Sequence, residues 1–279
     1  MIGQTSLQDK ISQQLNDNKF PRFALLVGDK GSGRKTFVYW LHSKLPDMEK
    51  YVMEDIKIED VRKMINMAYK MKNTLFCIFD ADEMSLPAKN ALLKVVEECP
   101  NNNHFIMTLQ DENNTLDTIK SRAVVYHMDA YTVNEIEQFA GEIVGHSDDI
   151  DIIKSVSGTP GDVYLLIQTG ARDFYMYVEK VIDNIAEVSG ANSFKIADKI
   201  ALKNEDDKYN LKLFWKIFSK ICVDRAISSF TVGEDDEGIR YLMGAKVTSK
   251  MLKGLRIKGI NKPMLFDIWL LDIRREWME

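Results

Sequence analysis

The stretch LFCIFDADEMSLPAKNALLKVVEECPNNNHFIMTLQDENNTLDTIKSR, Leu75 to Arg122, decides the fold. It opens with a short apolar run, Leu75 to Phe79, followed at once by Asp80, Asp82 and Glu83. That order suits a buried parallel strand delivering carboxylates at its C-terminal end. Ser85 is placed to cap the next helix, and Pro87 falls in its first turn, where a missing N–H costs little. Ala88, Ala91, Leu92, Val95 and Val96 make one helical face, with Lys89, Lys94 and Glu97 off it, and Cys99-Pro100 ends the helix. Asp82 and Glu83 read as solvated turn acids that help cap this helix. His104 to Leu109 is a second apolar run, and Asp117 to Arg122 leads toward a third, Ala123 to His127. Strands alternating with helices at this spacing imply an α/β domain with a parallel sheet covered on both faces. Ligands of such sheets bind beyond the carboxyl ends of the strands.

Upstream, Leu7, Ile11 and Leu15 lie four residues apart on one side of a helix, and Phe23 to Val27 is a compact strand. It runs into GDKGSGRKTF, Gly28 to Phe37, and then a second helix. Strand, glycine-rich turn and helix is the context in which backbone N–H groups and a helix N-terminus can face a phosphate. The candidate cradle is Gly28, Gly31, Gly33, Arg34, Lys35 and Thr36. Counted from Gly28, Arg34 sits where a phosphate-binding Lys belongs, and Lys35 where a magnesium-binding hydroxyl belongs; Thr36 is one position late. Two readings stand: a cradle that holds nucleotide or has lost it, and a plain turn closing a strand–helix unit. In either case the displaced hydroxyl predicts poor magnesium-dependent chemistry.

After Pro46 come a short strand around Tyr51 to Met53 and a helix from Ile58 to Met71, with Val61, Met64, Ile65 and Ala68 inward. Arg62 and Lys63 point outward, either as a solvated face or as contacts to a nucleic-acid backbone. From Asp173 onward the pattern is helical, with Phe174, Tyr177, Val178, Val181, Ile182 and Ile185 on one period and Leu211, Phe214, Phe218, Ile221 and Cys222 on another. Asn261 and Pro263 open a last helix, and Glu234 to Glu237 reads as a solvated loop. These wide aromatic stripes predict an all-α bundle.

The 279 residues are 45% hydrophobic and 28% charged, with a formal charge of -5, so indiscriminate adhesion to nucleic acid by the whole surface is not expected. Cys77, Cys99 and Cys222 are scattered, without paired zinc spacing, and their odd number points to a reducing cytoplasm rather than a disulfide framework. No segment reads as a membrane span or signal, so a membrane partner is not expected.

IGQ at Ile2 to Gln4, the glycine loop, DADEMS at Asp80 to Ser85, NALLKVVEECP at Asn90 to Pro100 and TIKSR at Thr118 to Arg122 together resemble the AAA+ clamp-loader subunits of bacterial DNA polymerase III. The resemblance implies an AAA+ domain over residues 1–130, a helical lid over 131–172 and a helical collar over 173–279. It implies partners as well: the other subunits of a hetero-oligomeric ring, a sliding clamp and primed DNA. ATP is the cofactor it suggests, with no zinc, because the few residues between Leu45 and Tyr51 leave no room for the four-Cys module of many relatives. Arg122 matches the arginine finger that such subunits give to a neighbour's nucleotide, a role suited to a planar, permanently charged guanidinium.

Aligned on Asn90, Phe79 falls on the family's metal-binding Asp and Asp80 on its Glu; a phenyl ring cannot ligate magnesium. Asp162 stands where active relatives carry a lid Arg, and is expected to repel phosphate. Hydrolytic parts replaced and a finger kept is the pattern of the delta-prime type. The alternatives are an ATP-hydrolysing motor subunit, with Lys35, Thr36 and Asp80 at work, and another AAA+ module such as a helicase loader.

Overall fold

A computed structural model describes residues 2–53, 55–144, 149–185, 211–255 and 260–278. The chain divides into two compact units, Met1–Glu135 with Thr159–Gly161, and Ile136–Gly158 with Asp162–Glu279.

The first unit is built on β1 (Phe23–Val27), β2 (Glu49–Val52), β3 (Thr74–Ile78), β4 (His104–Leu109) and β5 (Val124–His127), all parallel, in the order β2-β3-β4-β1-β5. Alternation of side chains along a strand sorts the apolar runs onto two faces. Leu25, Phe76, Ile78, Phe105 and Met107 pack with Val61, Met64, Leu92 and Val96 of α3 (Ile58–Lys70) and α4 (Leu86–Glu98). Ala24, Leu26, Leu75, Cys77 and Ile106 pack on the other side with Leu7 and Ile11 of α1 (Thr5–Asn16) and Phe37, Val38 and Leu41 of α2 (Arg34–Ser43). Double coverage explains why β1 and β3 carry no polar alternation: all five residues of each are buried. Because β4 lies between β1 and β3, the segments leaving β1, β3 and β4 converge at one edge.

Ser85 caps α4 as its position requires, its hydroxyl accepting from Ala88 N–H at 3.4 Å. Two expectations for this region need correction. Asp82 is not solvated: it is 6% exposed, turned under the sheet edge by the 3-10 turn Ala81–Glu83. Lys89 does not lie off the apolar face; it is 7% exposed, and its Nζ donates to the carbonyls of Asp82 and Asn114. An ammonium buried this deeply must find acceptors, and backbone oxygens at the turn supply them.

The second unit is helical: α6 (Val133–Val144, whose first turn belongs to the first unit), α7 (Ile150–Val156), α8 (Pro160–Thr169), α9 (Ala171–Asp183), α10 (Leu211–Val232), α11 (Asp235–Gly254) and α12 (Lys262–Met278), after the short α5 (Asp117–Lys120) of the first unit. Its aromatic centre is Phe214, Trp215, Phe218, Phe266 and Trp269; Phe214 meets Trp269 edge-on at 5.4 Å. The Trp269 indole N–H donates to the fully buried Thr248 hydroxyl at 2.9 Å. Asn261 caps α12 by accepting from Met264 N–H at 3.0 Å. Glu234 to Glu237 is not a loop: Glu234 precedes α11, and Asp235, Asp236 and Glu237 fill its first turn, where carboxylates complement the helix dipole. The helical reading also spans residues 186–210, which lie outside the described residues. No described helix is long and apolar enough to cross a membrane.

Candidate functional site

The glycine-rich turn leaves β1 at Gly28, whose N–H donates to Leu109 O at 3.0 Å, and enters α2 through Gly33 in the left-handed region at φ 87°. Arg34 and Lys35 therefore begin a helix at its positive end, an unfavourable place for two cations unless an anion stands opposite. Asp80 is that anion. Its Oδ1 accepts from Arg34 Nη2 at 2.8 Å, and its Oδ2 lies 3.3 Å from Lys35 Nζ. Arg34 is 7% exposed and its Nη1 has no hydrogen-bond partner, whereas Lys35 is open to solvent. Thr36 is exposed one helical position further on.

Asp80 itself is held in a conformation few residues adopt, φ 51° and ψ 43°, with its N–H donating to the Thr108 hydroxyl at 2.9 Å. Asp tolerates this left-handed geometry better than most residues. Phe79, just before it, packs edge-on against Tyr39 at 5.9 Å and beneath Lys35 Nζ at 5.3 Å, so the position expected for a metal carboxylate is an aromatic contact.

Tyr131 covers the turn from the other side. Its hydroxyl donates to Ser32 O at 2.8 Å, and burial pushes its phenol pKa up. The Gln4 side-chain amide donates to Asp129 O and accepts from Asp129 N–H, both at 2.8 Å, so the IGQ segment is fixed to the chain leaving β5. Gly161 of the same unit donates its N–H to Gly31 O at 2.9 Å. A Cβ on Gly161 would come within 2.5 Å of the Gly31 Cα, so the two backbones meet at a distance only glycine permits.

Residues 42–132 match the family model described as DNA polymerase III, delta subunit. The gamma subunit of DNA polymerase III from Buchnera aphidicola (Schizaphis graminum) is 24% identical over 190 residues, 56% of this chain and 52% of that protein. Its counterpart from Buchnera aphidicola (Acyrthosiphon pisum) is 23% identical over 258 residues, covering 78% of this chain and 71% of that protein. The chain resembles the clamp-loader AAA+ subunits of DNA polymerase III. It spans about half the length of the first of these relatives. Among solved structures, a mutant of RuvB from Thermotoga maritima shares the fold with a TM-score of 0.50 at 17% identity, covering 72% of this chain and 77% of that one.

In this clamp-loader-like chain Arg122 follows α5 and is surface-borne, its side chain 35% exposed. Nε donates to Glu97 Oε2 at 3.0 Å and Nη1 to Thr118 O at 2.9 Å and Ser121 Oγ at 3.4 Å, while Nη2 makes no hydrogen bond among the described residues. The guanidinium is oriented, not sequestered.

Asp162 is engaged within the helical unit. It is 5% exposed, and its carboxylate meets Lys216 Nζ at 2.6 Å and Lys212 Nζ at 3.3 Å, both on α10. The buried acid is thus a pin between α8 and α10. Lys63 is paired with Asp60 at 2.9 Å, and Arg62 is exposed beside it on α3. Burial pushes the Cys99 thiol up to about 11 and those of Cys77 and Cys222 to about 12, which makes poor nucleophiles of all three.

Thr108 and Tyr131 escaped the sequence reading. Thr108 left a trace, as the one hydroxyl inside an apolar strand; Tyr131 left none, since only the folded chain brings it beside Ser32.

Proposed function

We propose that this chain is a non-hydrolysing clamp-loader subunit of delta-prime type, a member of a hetero-oligomeric AAA+ ring that places a sliding clamp on primed DNA in the cytoplasm. Arg122 acts in trans as an arginine finger on the neighbouring subunit's ATP. The observation that supports this is a difference in placement: Arg34 is buried against Asp80, which Lys35 also meets, whereas Arg122 lies at the surface, oriented by Glu97 and Thr118.

The chain's own turn fits magnesium triphosphate poorly. Asp80 spends both oxygens on protein cations, Phe79 offers no oxygen, and the position after Arg34 carries an ammonium instead of a hydroxyl. A transferred phosphoryl group needs cations free to meet its developing charge. Arg122 is the surface guanidinium placed to meet it in a neighbour's site, with Glu97 and Thr118 fixing Nε and Nη1. Turnover of ATP by the purified chain, with and without magnesium, tests the first half of the reading: no metal-dependent hydrolysis is expected, and robust turnover would refute it.

A further inference from the structure

β2 is an edge strand: β3 pairs with it on one side, and no described strand lies on the other. Along a strand in a parallel pair, successive residues turn their N–H and C=O groups to opposite sides. Glu49 and Met53 donate their N–H groups to Asn73 O and Cys77 O, at 3.0 and 3.1 Å, on the β3 side. Lys50 and Val52 therefore direct theirs outward, as an unfilled ladder of the kind that can template a further strand.

The side chains of the same two residues lie on the α2 face of the sheet. Val52 packs with the α1–α2 layer, and the exposed Lys50 ammonium sits 4.4 Å from the centre of the Tyr39 ring on α2. Tyr39 is 45% exposed and meets Phe79 edge-on, with Lys35 over Phe79 in turn. Lys50 makes no ion pair among the described residues. Of the neighbouring acids, Asp80 is engaged by Arg34 and Lys35, Glu49 alternates to the opposite face of β2, and Asp47 lies in the turn before the strand. An open backbone and an unanswered cation on one edge define the occupant. A second copy of this edge would bring Lys50 near Lys50, a like-charge pairing that weakens strand addition. Stacked bases need open rings, and Tyr39 and Phe79 already pack against Lys50, Lys35 and each other. An acidic extended peptide satisfies both features, because its main chain continues the ladder while its alternate side chains bring a carboxylate to Lys50.

We propose that the outer edge of β2 takes an extended, acidic segment of a partner protein as a sixth strand, with a carboxylate of that segment paired to Lys50 beside Tyr39. Main-chain hydrogen bonds to Lys50 and Val52 supply affinity, and the Lys50 ammonium supplies the preference for acid. Neither Arg122 nor nucleotide takes part.

The test titrates two short blocked peptides into the isotopically labelled full-length chain and follows its amide resonances; one peptide alternates Val with Glu, the other Val with Lys. The Val–Glu peptide is expected to bind about tenfold more tightly than the Val–Lys peptide, to shift the Lys50 and Val52 amides and to slow their exchange with solvent. Lys50→Glu should reverse the preference between the peptides. Val52→Pro removes one outward donor and keeps the charge, and should weaken both peptides about tenfold. A circular dichroism melt shows that each variant is folded; Lys50→Glu, at an exposed position, carries the test if Val52→Pro is not. Absence of Val–Glu binding, equal binding of the two peptides to wild type, undiminished Val–Glu binding by Lys50→Glu, or shifts that leave β2 untouched overturns the proposal. So does a Lys50-dependent affinity for single-stranded oligothymidylate without affinity for the Val–Glu peptide, which would make this a nucleic-acid surface. A dimer in sedimentation that forms through this edge and blocks the peptide overturns it equally.

Discussion

Replacing Asp80 by Asn removes one charge and little else, because Asn also tolerates the left-handed backbone found at φ 51°. The variant leaves Arg34 dehydrated, with its principal counterion gone. At the 2.8 Å and 3.3 Å separations seen here, unit charges in a medium of effective dielectric about 20 attract by about 6 and about 5 kcal/mol, gross figures that desolvation largely offsets. Breaking a fully buried pair costs about 3–5 kcal/mol, and an exposed one less than about 1. Arg34 is 7% exposed and Asp80 33%, so the loss falls between these limits, about 2 kcal/mol.

Native-state hydrogen exchange at the β1 and β3 amides reads this loss in the first unit alone, as exchange faster by about 30-fold. Adding Arg34→Met to the Asp80→Asn background should recover part of it, giving a coupling of about 1 kcal/mol or more in the double-mutant cycle. Adding tripolyphosphate should slow exchange more in Asp80→Asn than in wild type, because the freed Arg34 and Lys35 accept an external anion in place of the carboxylate. Exchange within about twofold of wild type, with no gain in anion sensitivity, would refute the assignment of Asp80 as the turn's internal counterion.

Other outcomes follow from single contacts. Asp162→Ala should destabilise the second unit by about 2–3 kcal/mol, since Lys212 and Lys216 lose a shared, buried acceptor; urea unfolding followed by Trp215 and Trp269 fluorescence checks it, and an unchanged midpoint would show that the pin contributes nothing. Gly161→Ala puts a methyl 2.5 Å from the Gly31 Cα, so backbone must move at a cost of about 1–3 kcal/mol; chemical-shift changes at Gly31, Ser32 and Gly33 should mark that movement, and a silent spectrum would contradict it. His104, whose Nδ1 lies 2.9 Å from Pro21 O, has its pKa lowered below 6.5 by burial. The folded chain therefore binds this proton less readily than the unfolded chain, and stability falls as pH drops through about 6.5, by at most about 1.4 kcal/mol per pH unit for one site. Thermal melts between pH 7 and 5 should show a shallower decline in His104→Gln than in wild type.

A parallel sheet covered on both faces was legible because such strands must be continuous apolar runs, and the chain writes them so at Phe23–Val27 and, one residue off the observed strand Thr74–Ile78, at Leu75–Phe79; the order of the strands was not. Caps were legible for the same local reason: Ser85 and Asn261 satisfy N–H groups only a few residues away. Charge burial was not. Lys89 and Asp162 look like surface residues in sequence, and each is buried because partners distant in the chain, Asn114 for one and Lys212 and Lys216 for the other, close around it. The glycine turn was read correctly as basic, but that Asp80 answers both cations depends on the crossing from β1 to β3, which no spacing announces. Glu234 to Glu237 misled because acids that favour a loop equally favour the first turn of a helix.

The most direct test of the central claim is ATP turnover by the assembled clamp-loader ring carrying Arg122→Ala in this chain alone. If Arg122 acts in trans, the ring still assembles and DNA-stimulated hydrolysis at the neighbouring site falls by about 10³-fold, the scale at which arginine fingers act. Hydrolysis and clamp loading at wild-type rates would contradict it.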